Sequence, residues 1–259
     1  MFVLSSDEGS VSLLGTDGFR MVLDTLEAPG AQEAKHVVRK KQLKQALALL
    51  ADLFGPQVVL GSTDSGNLSI AGGVTRMVLR DVVPEINPEQ LIGGLPAPDE
   101  AEASVAAAAT TWNAWTTVMA TAAERFKVTV ADTVTFATSG GEGRAHVNEA
   151  RVLEPDVSGF QYSGAGAAVI HSVYAKEAIA ALVVGKKALK EDEESAAGDV
   201  DHDAYTNGGL IEAHVARYGP HATIAGMLFT SPLRKNRRVF IQGAKEVAPA
   251  QTTPVGATV

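Results

Sequence analysis

The feature that most constrains the fold is a polar corner between two apolar runs near the start of the chain. Residues 14–23 read Leu-Gly-Thr-Asp-Gly-Phe-Arg-Met-Val-Leu. Apolar residues flank Thr16-Asp17-Gly18, and an Asp-Gly pair favours a tight reversal between antiparallel strands. Such a corner is an ordinary hairpin in most proteins. It therefore predicts a sheet that begins within the first residues, and by itself it predicts no function.

Composition excludes several classes of protein. The 259 residues are 46% hydrophobic and include no cysteine, so the chain can bury real cores, and its length fits two domains better than one. Disulfides, thiolate nucleophiles and Cys-ligated metals are excluded. The sequence has no apolar run long enough to span a membrane and no signal-peptide pattern, so we expect a cytoplasmic protein. A net charge of −8 argues against a generic nucleic-acid coat, although local basic surfaces decide binding.

The first part of the chain predicts strands, a helix and more strands. Apolar residues between positions 38 and 54 recur at helical spacing and end before Gly55-Pro56, which predicts a helix that opens near Val37-Val38. Arg39, Lys40, Lys41 and Lys44 lie along its beginning, and a cluster of this kind is most often a solvated helix flank. The predicted strands of this part are residues 2–4, 10–14, 19–26, 57–60, 67–70 and 75–83.

A change in composition marks the domain boundary. Residues 84–100 contain four prolines and two adjacent glycines, which is typical of an interdomain linker. We place the boundary near Leu95, which predicts one domain over residues 1–95 and a second over residues 96–242.

The second part repeats the mixture of strands and helices. Trp112, Trp115, Met119 and Ala122 recur at helical spacing within residues 102–124, which predicts a helix with one apolar stripe packed against a sheet. A third helix is predicted over residues 172–190, with Lys176, Lys187 and Lys190 on one side. The predicted strands of this part are residues 126–130, 134–138, 145–153, 210–215, 223–229 and 238–241.

Two segments carry no predicted element. Residues 191–209 form an acidic insertion in which Asp201-His202-Asp203 invites a metal interpretation, but three contiguous side chains in a solvated loop rarely converge on one ion. Residues 243–259 are rich in Ala, Pro and Thr and predict a disordered tail. We expect no metal and no cofactor.

The sequence contains none of the common enzyme motifs. It has no Walker loop, no His-Glu-x-x-His and no Gly-x-Ser-x-Gly, and its six histidines are scattered. Gly164-Ala165-Gly166 begins like a dinucleotide fingerprint, but valine occupies the last glycine position at residue 169, so we expect a loop there. The chain is therefore not expected to be an enzyme, although residues carried by loops keep that alternative open.

Several motifs in one order resemble a known family. Thr16-Asp17-Gly18-x-Arg20 forms the polar corner between two strands, Arg39-Lys40 opens the first helix, and Pro84 follows the last strand of the first domain. This ordered set resembles the bacterial DNA polymerase III beta subunit, the sliding clamp, here divergent and shortened at its N-terminus. Phe19 replaces the histidine usual in that family, and the run at 238–242 replaces the usual terminal motif. The resemblance implies an α+β clamp fold, in which repeated strand-helix-strand units place antiparallel sheets outside and helices along a channel.

The resemblance also implies a function. A clamp encircles duplex DNA without reading its sequence and tethers DNA polymerase, and it binds polymerase and clamp loader through short peptide motifs. By this likeness the protein is a homo-oligomeric ring with two sets of binding residues. The candidate DNA-binding residues are Arg39, Lys40, Lys41, Lys44, Lys176, Lys187 and Lys190. The candidate residues of the partner-peptide groove are Thr16, Gly18, Phe19, Arg20, Met21, Pro84, Val239 and Ile241. The alternative function is a non-catalytic interaction or assembly protein that reuses the scaffold without binding DNA.

The predicted helix count leads to an expectation about assembly. Clamp domains carry their helices in pairs, whereas this sequence predicts three, and the family places a helix before the strand that Phe2 begins here. We therefore expect residues 1–95 to be an incomplete clamp domain that impairs self-assembly. Size-exclusion chromatography with light scattering should show no stable ring for the 259-residue chain, and a stable ring would contradict the expectation.

Overall fold

The computed structural model describes residues 1–53, 58–72, 75–83, 87–139, 152–153, 159–183, 209–219 and 222–245. The first part of the chain contains β1 (Phe2–Asp7), β2 (Gly9–Thr16), β3 (Arg20–Ala28), β4 (Ala34–Val38), α1 (Lys40–Leu53), β5 (Val59–Ser62), β6 (Leu68–Gly72), β7 (Thr75–Leu79) and α2 (Pro88–Gly93). The second part contains β8 (Ala103–Ala108), α3 (Ala109–Ala122), β9 (Arg125–Val130), β10 (Val134–Ser139), β11 (Val152–Leu153), β12 (Gln161–Gly164), β13 (Gly166–His171), α4 (Ser172–Leu182), β14 (Leu210–Arg217), β15 (Ala225–Thr230) and β16 (Arg237–Ile241).

The chain divides into two compact units. The first unit comprises Met1–Leu95 together with Arg234–Phe240, and the second comprises Pro96–Leu233 and Ile241–Val259. The predicted second domain was one continuous stretch, 96–242, whereas most of β16 belongs to the first unit. An ion pair joins β16 to the first unit: Arg237 donates to both carboxylate oxygens of Asp24 on β3, from Nε at 2.6 Å and from a terminal nitrogen at 2.8 Å. Two parallel charge-assisted bonds fix both position and orientation.

The first unit encloses its core between two sheets and a helix. One sheet has the order β16-β3-β2-β1-β4 and the other the order β5-β6-β7. Leu4 and Val38 from the larger sheet meet Leu68 and Ile70 from the smaller one, and Ala46 of α1 joins them. The helix therefore covers apolar surface that both sheets would otherwise expose to water.

The second unit is built in the same way around aromatic residues. Its sheets have the orders β12-β8-β14-β15 and β11-β10-β9-β13, and α3 and α4 pack on each other and on strands of both sheets. Trp112 is buried, donates from Nε1 to the carbonyl oxygen of Ile211 at 3.0 Å, and lies edge-on to Phe136, Phe160 and Phe229. The prediction that the tryptophan stripe belongs to the core is confirmed for Trp112.

Two elements differ from the predictions. Residues 34–38 form β4, so the first helix begins at Lys40 and not at Val37-Val38, because each residue from Ala34 to Val38 pairs with β1. Residues 103–108 form β8, and α3 begins only at Ala109. Ala103, Val105 and Ala107 alternate inward along β8, and strands pair with it on both sides. Because alanine is nearly neutral in hydropathy, the hydropathy pattern of the sequence does not show this alternation.

Three smaller predictions had different outcomes, and only the one for Ala122 was wrong. The expected linker over residues 84–100 contains α2 and a short 3₁₀ turn, Pro98–Glu100. Ala122, expected on the apolar stripe of α3, is exposed. The predicted strand 145–153 is described only as Val152–Leu153. The predictions for Pro84, Lys187, Lys190, most of the acidic insertion and most of the tail fall outside the described residues.

Gly164 allows a close backbone approach at the end of β12, and its replacement is a test of this packing. Its φ is +79°, and a Cβ there would clash with the carbonyl oxygen of Glu102. Gly219 has a φ of +74° with nothing within 4 Å of an added Cβ. Gly164→Ala should lower the free energy of unfolding by at least about 1 kcal/mol more than Gly219→Ala. Denaturant unfolding measures both losses. Equal losses would mean that strain at a positive φ accounts for both, without a contribution from the close contact at Gly164.

His214 makes the second unit sensitive to pH. It is buried on β14, with Nε2 3.0 Å from Thr230 Oγ1, and Nδ1 has no hydrogen-bond partner. Burial lowers the pKa of His214, against the opposing effect of Glu212, which raises it. The unfolded chain therefore binds this proton at a higher pH than the folded one, so stability falls as pH drops below about 6.5.

Replacing His214 by glutamine tests this dependence. His214→Gln keeps an amide that can bond Thr230 but removes the titration. Between about pH 6.5 and the lowered pKa, the free energy of unfolding of the unchanged protein should fall with a slope of up to about 1.4 kcal/mol per pH unit relative to the variant. Parallel pH profiles in urea unfolding would contradict this.

Candidate functional site

The first helix begins with an exposed group of cations, which we name the α1 basic cluster: Arg39, Lys40, Lys41 and Lys44. All four side chains are exposed. Val37 and Val38, directly before the cluster, are buried. The chain therefore passes from a buried strand to a solvated helix start within one residue, which turns the basic side chains outward.

The spacing along α1 explains which side chains face the core. Leu43 packs against the core and Ala46 is within it, whereas Lys40 and Lys44 are one helical turn apart on an exposed face. No acidic residue lies in the first turn. Cations at a helix N-terminus oppose the helix macrodipole by about 0.3–1 kcal/mol each, so local helix stability does not favour the cluster. What the arrangement can do chemically is attract anions, because the lysines and the helix N-terminus have the same sign.

The other candidate DNA-binding residues lie elsewhere. Lys176 is exposed on α4 in the second unit, and Lys187 and Lys190 are outside the described residues. The structure thus brings together four of the seven candidates on one helix end.

The corner from Thr16 to Arg20, which we name the β2–β3 corner, is held by its own polar side chains. Thr16 Oγ1 donates to the carbonyl oxygen of Arg20 at 2.9 Å, and the N–H groups of Phe19 and Arg20 donate to Asp17 Oδ1 at 3.1 and 3.2 Å. Arg20 Nε donates to Asp17 Oδ2 at 2.9 Å. Gly18 supplies a φ of +92°, which a residue with a side chain adopts at a cost. The predicted hairpin is confirmed, and every residue of the motif has a structural task.

The charge state of Asp17 follows from these bonds. Burial raises the pKa of this carboxyl, but the N–H of Phe19 and the guanidinium of Arg20 outweigh it, so the pKa lies below the ordinary value. The corner therefore presents a paired carboxylate beneath an apolar tip, since the Phe19 side chain is 64% exposed.

The structure gathers only part of the predicted peptide groove. Thr16, Gly18, Phe19 and Arg20 are together at the corner, but Met21 is buried within the first unit. Val239 and Ile241 are buried as well, and Pro84 is outside the described residues. Burial leaves Met21, Val239 and Ile241 little accessible surface, so Phe19 is the exposed apolar side chain among the described candidates. The peptide groove itself stays a prediction.

A polar cluster that sequence reasoning missed lies in the first unit. His36 on β4 is only 2% exposed, and its ring nitrogens contact Asp81 Oδ2 at 3.0 Å and Ser62 Oγ at 2.9 Å. Ser62 and Asp81 are 26 and 45 positions away from His36 in the sequence, so no short motif indicates the cluster. Packing of the sheet that contains β4 against the sheet β5-β6-β7 brings the three residues together.

In the described part of the chain, no group of three or more His, Asp or Glu side chains could hold a metal ion. No helix there is long and apolar enough to cross a membrane.

No family model and no curated protein matches the sequence. The structure is nevertheless similar to solved bacterial DNA polymerase III beta subunits. For the subunit of Thermotoga maritima the TM-score is 0.66 at 12% identity, over 95% of this chain and 57% of that chain. For the sliding clamp of Caulobacter crescentus the TM-score is 0.62 at 15% identity, over 94% and 56%. For the beta subunit of Borrelia burgdorferi, solved in complex with a natural product, the TM-score is 0.64 at 13% identity, over 94% and 56%.

These comparisons show the fold. The predicted resemblance to bacterial sliding clamps and the predicted α+β clamp fold with antiparallel sheets are confirmed. The chain spans a little over half the length of the clamps that it matches.

Proposed function

We propose that this chain is a subunit of a DNA polymerase processivity clamp, which contacts duplex DNA through the α1 basic cluster and tethers partner proteins through the β2–β3 corner. The observation that carries the proposal is the exposed cluster at the start of α1 on a clamp fold. The proposed tether acts by binding and enclosure, without a chemical step of its own.

The charge distribution supports contact with DNA despite the net charge of −8. Four cations converge on one helix start, where the backbone N–H groups add to the positive potential. Lysines on flexible stems bind phosphates as point charges, so they attract a duplex without fixing a register along it. Attraction of this kind is weak, sensitive to salt and independent of sequence, which suits a protein that slides.

Retention on DNA would come from closure of a ring in which this chain is one subunit. A closed ring keeps the duplex by topology, so the electrostatic contacts do not need to be strong. Lys176 on α4 is a second proposed DNA contact, because it is exposed on a helix of the other unit. Lys187 and Lys190 stay candidates from the sequence.

Replacing the three lysines of the α1 basic cluster tests the proposed contact. If Lys40, Lys41 and Lys44 contact phosphates, their joint replacement by alanine should flatten the slope of log K against log salt by about 0.9 for each lost contact. Fluorescence anisotropy with a labelled duplex over a range of salt concentrations measures the slope.

A matched control separates local contact from net charge. Lys35, Lys235 and Lys245 are exposed and lie outside the cluster, so their joint replacement by alanine changes the net charge equally. The slope should be unchanged in this control. Equal slopes for both triple variants and the unchanged protein would favour the alternative, an interaction or assembly protein that does not bind DNA.

The partner site is proposed at the tip of the β2–β3 corner. An exposed aromatic side chain can anchor a short peptide that offers a leucine or phenylalanine. Polymerase and clamp loader peptides are the proposed ligands. Met21 is unsuitable as a probe because it is buried, so a charge there would test folding.

Phe19→Ala tests the tip, with Leu26→Ala as its control. Both side chains are exposed apolar groups, at 64% and 48%, and Leu26 lies on β3 away from the corner. Loss of a hot-spot aromatic should weaken binding of a fluorescent peptide from the host replicative polymerase at least about tenfold, equivalent to about 1.4 kcal/mol. Leu26→Ala should bind as the unchanged protein does. Equal affinity of all three proteins would place the partner site elsewhere.

A further inference from the structure

The polar cluster of the first unit has the connectivity of a nucleophilic catalytic site. His36 Nδ1 lies 3.0 Å from a carboxylate oxygen of Asp81, and Nε2 lies 2.9 Å from the hydroxyl oxygen of Ser62. A carboxylate can only accept, so Nδ1 carries the proton that it donates to Asp81. In neutral imidazole Nε2 is then an acceptor and receives the Ser62 hydroxyl proton. This is the arrangement in which an imidazole can take up a proton from serine.

The orienting carboxylate is itself held in place. Asp81 Oδ1 accepts from the backbone N–H of Leu68 at 3.3 Å, and the Asp81 N–H donates to Asn67 Oδ1 at 3.1 Å. The next residue, Val82, donates its N–H to the carbonyl oxygen of Val37 at 2.9 Å. The segment that bears Asp81 is thus fixed to β6 on one side and to β4, the strand of His36, on the other.

The exposed fraction of the three side chains decreases from Ser62 through Asp81 to His36. Ser62 is exposed, Asp81 is partly buried and His36 is buried. A substrate could therefore reach the hydroxyl while the imidazole is shielded from water. Most buried histidines that are satisfied by two hydrogen bonds only stabilise a fold, but such a role requires neither an exposed serine nor a cavity beside it.

The backbone at Ser62 offers a donor for a developing oxyanion. The N–H of Thr63, directly after β5, donates to the carbonyl oxygen of Asn67. Gly61, two residues before Thr63, lies opposite Ser69 of β6. In an antiparallel ladder hydrogen-bonded residues alternate, so the N–H of Ser62 points away from β6. A carbonyl oxygen under attack by Ser62 Oγ can approach this N–H at the side of β5 with which no described strand pairs.

A cavity of about 390 Å³ adjoins the serine. Ser62 and His36 line it together with apolar or small residues and three further polar ones. The apolar or small residues are Leu4, Val11, Leu60, Ala31, Ala34, Gly30 and Gly61, and the polar ones are Ser6, Gln32 and Glu33. The volume lies within the range of about 300 to 1,000 Å³ that is typical of small-molecule sites, and Leu4, Val11 and Leu60 supply apolar surface for a short acyl chain.

We propose that Ser62, His36 and Asp81 form a catalytic triad that hydrolyses small carboxylic esters with a short aliphatic acyl group. Ser62 Oγ attacks the ester carbonyl carbon, and His36 Nε2 takes the hydroxyl proton. The tetrahedral intermediate breaks its bond to the alkoxy oxygen, which leaves as an alcohol with the proton from His36. Water then attacks the acyl-serine, gives a proton to His36, and releases the carboxylic acid as Ser62 regains its proton. The proposal is independent of the DNA contact.

The direct experiment combines labelling with turnover. A fluorophosphonate probe should form a covalent adduct, located on Ser62 by peptide mass spectrometry, and p-nitrophenyl butyrate should be hydrolysed. Ser62→Ala should abolish the adduct and lower the hydrolysis rate at least about a hundredfold, because triad members act as a unit. Ser65→Ala, which alters another exposed serine nearby, should change neither. An unlabelled protein, or equal hydrolysis by the unchanged protein and Ser62→Ala, would overturn the proposal.

A second experiment uses the absence of cysteine from the sequence. Ser62→Cys introduces a single thiol next to His36, and Ser65→Cys introduces one without such a base. At pH 6.5 the thiol at position 62 should react with iodoacetamide at least about tenfold faster, because imidazole stabilises the thiolate. Adding Asp81→Asn to Ser62→Cys should remove most of this advantage, since the imidazole then loses the carboxylate that orients it. Equal rates at positions 62 and 65 would show that the cluster only ties β4 to β5 and would overturn the proposal.

Discussion

The pairing of β4 with β1 is the interaction on which the first unit depends. In this register Leu4 lies opposite His36 and Phe2 opposite Val38, which places Val38 in the core and ends the strand just before the basic residues. The same pairing carries the His36 imidazole to Ser62 and Asp81. A slip of one residue would reverse the faces of the whole strand, taking Val38 out of the core cluster and withdrawing the histidine from Ser62 and Asp81. The register between β1 and β4 therefore determines the core packing of Val38, the exposure of the α1 basic cluster and the position of His36 in the polar cluster.

The clamp fold could be anticipated from the sequence because its signals are local. The Thr-Asp-Gly corner, the apolar alternation of β9 and β10, and the helical spacing of α1 and α4 each depend on neighbouring residues, and the structure confirms these elements. The strands β4 and β8 were missed for a physical reason. Ala34–Val38 ends in two apolar residues that suit a helix equally well, and Ala103–Ala108 carries alanines of nearly neutral hydropathy. Partners on other strands decide both cases.

The candidate sites show the same division between local and distant information. Helical spacing was sufficient to expect Lys40 and Lys44 on an exposed face, because the inward face of α1 is visible in its own sequence. The burial of Met21 and Val239 was not predictable, since each strand has two faces and only its packing against other elements decides which one is covered. His36, Ser62 and Asp81 come from three separate segments whose meeting depends on register, which no spacing within the sequence encodes.

The membership of β16 in the first unit has a consequence for how the protein is made. A ribosome delivers Met1–Leu95 long before Arg234–Phe240, so the strand that binds Asp24 through Arg237 emerges only after the whole of Pro96–Leu233 has been made. Domains that are continuous in sequence can fold while the rest of the chain is being translated. Here the edge of β3 must wait for a late strand, and until then it presents unpaired backbone groups to other nascent chains. The order of translation thus gives the first unit an exposed edge that the finished protein does not have.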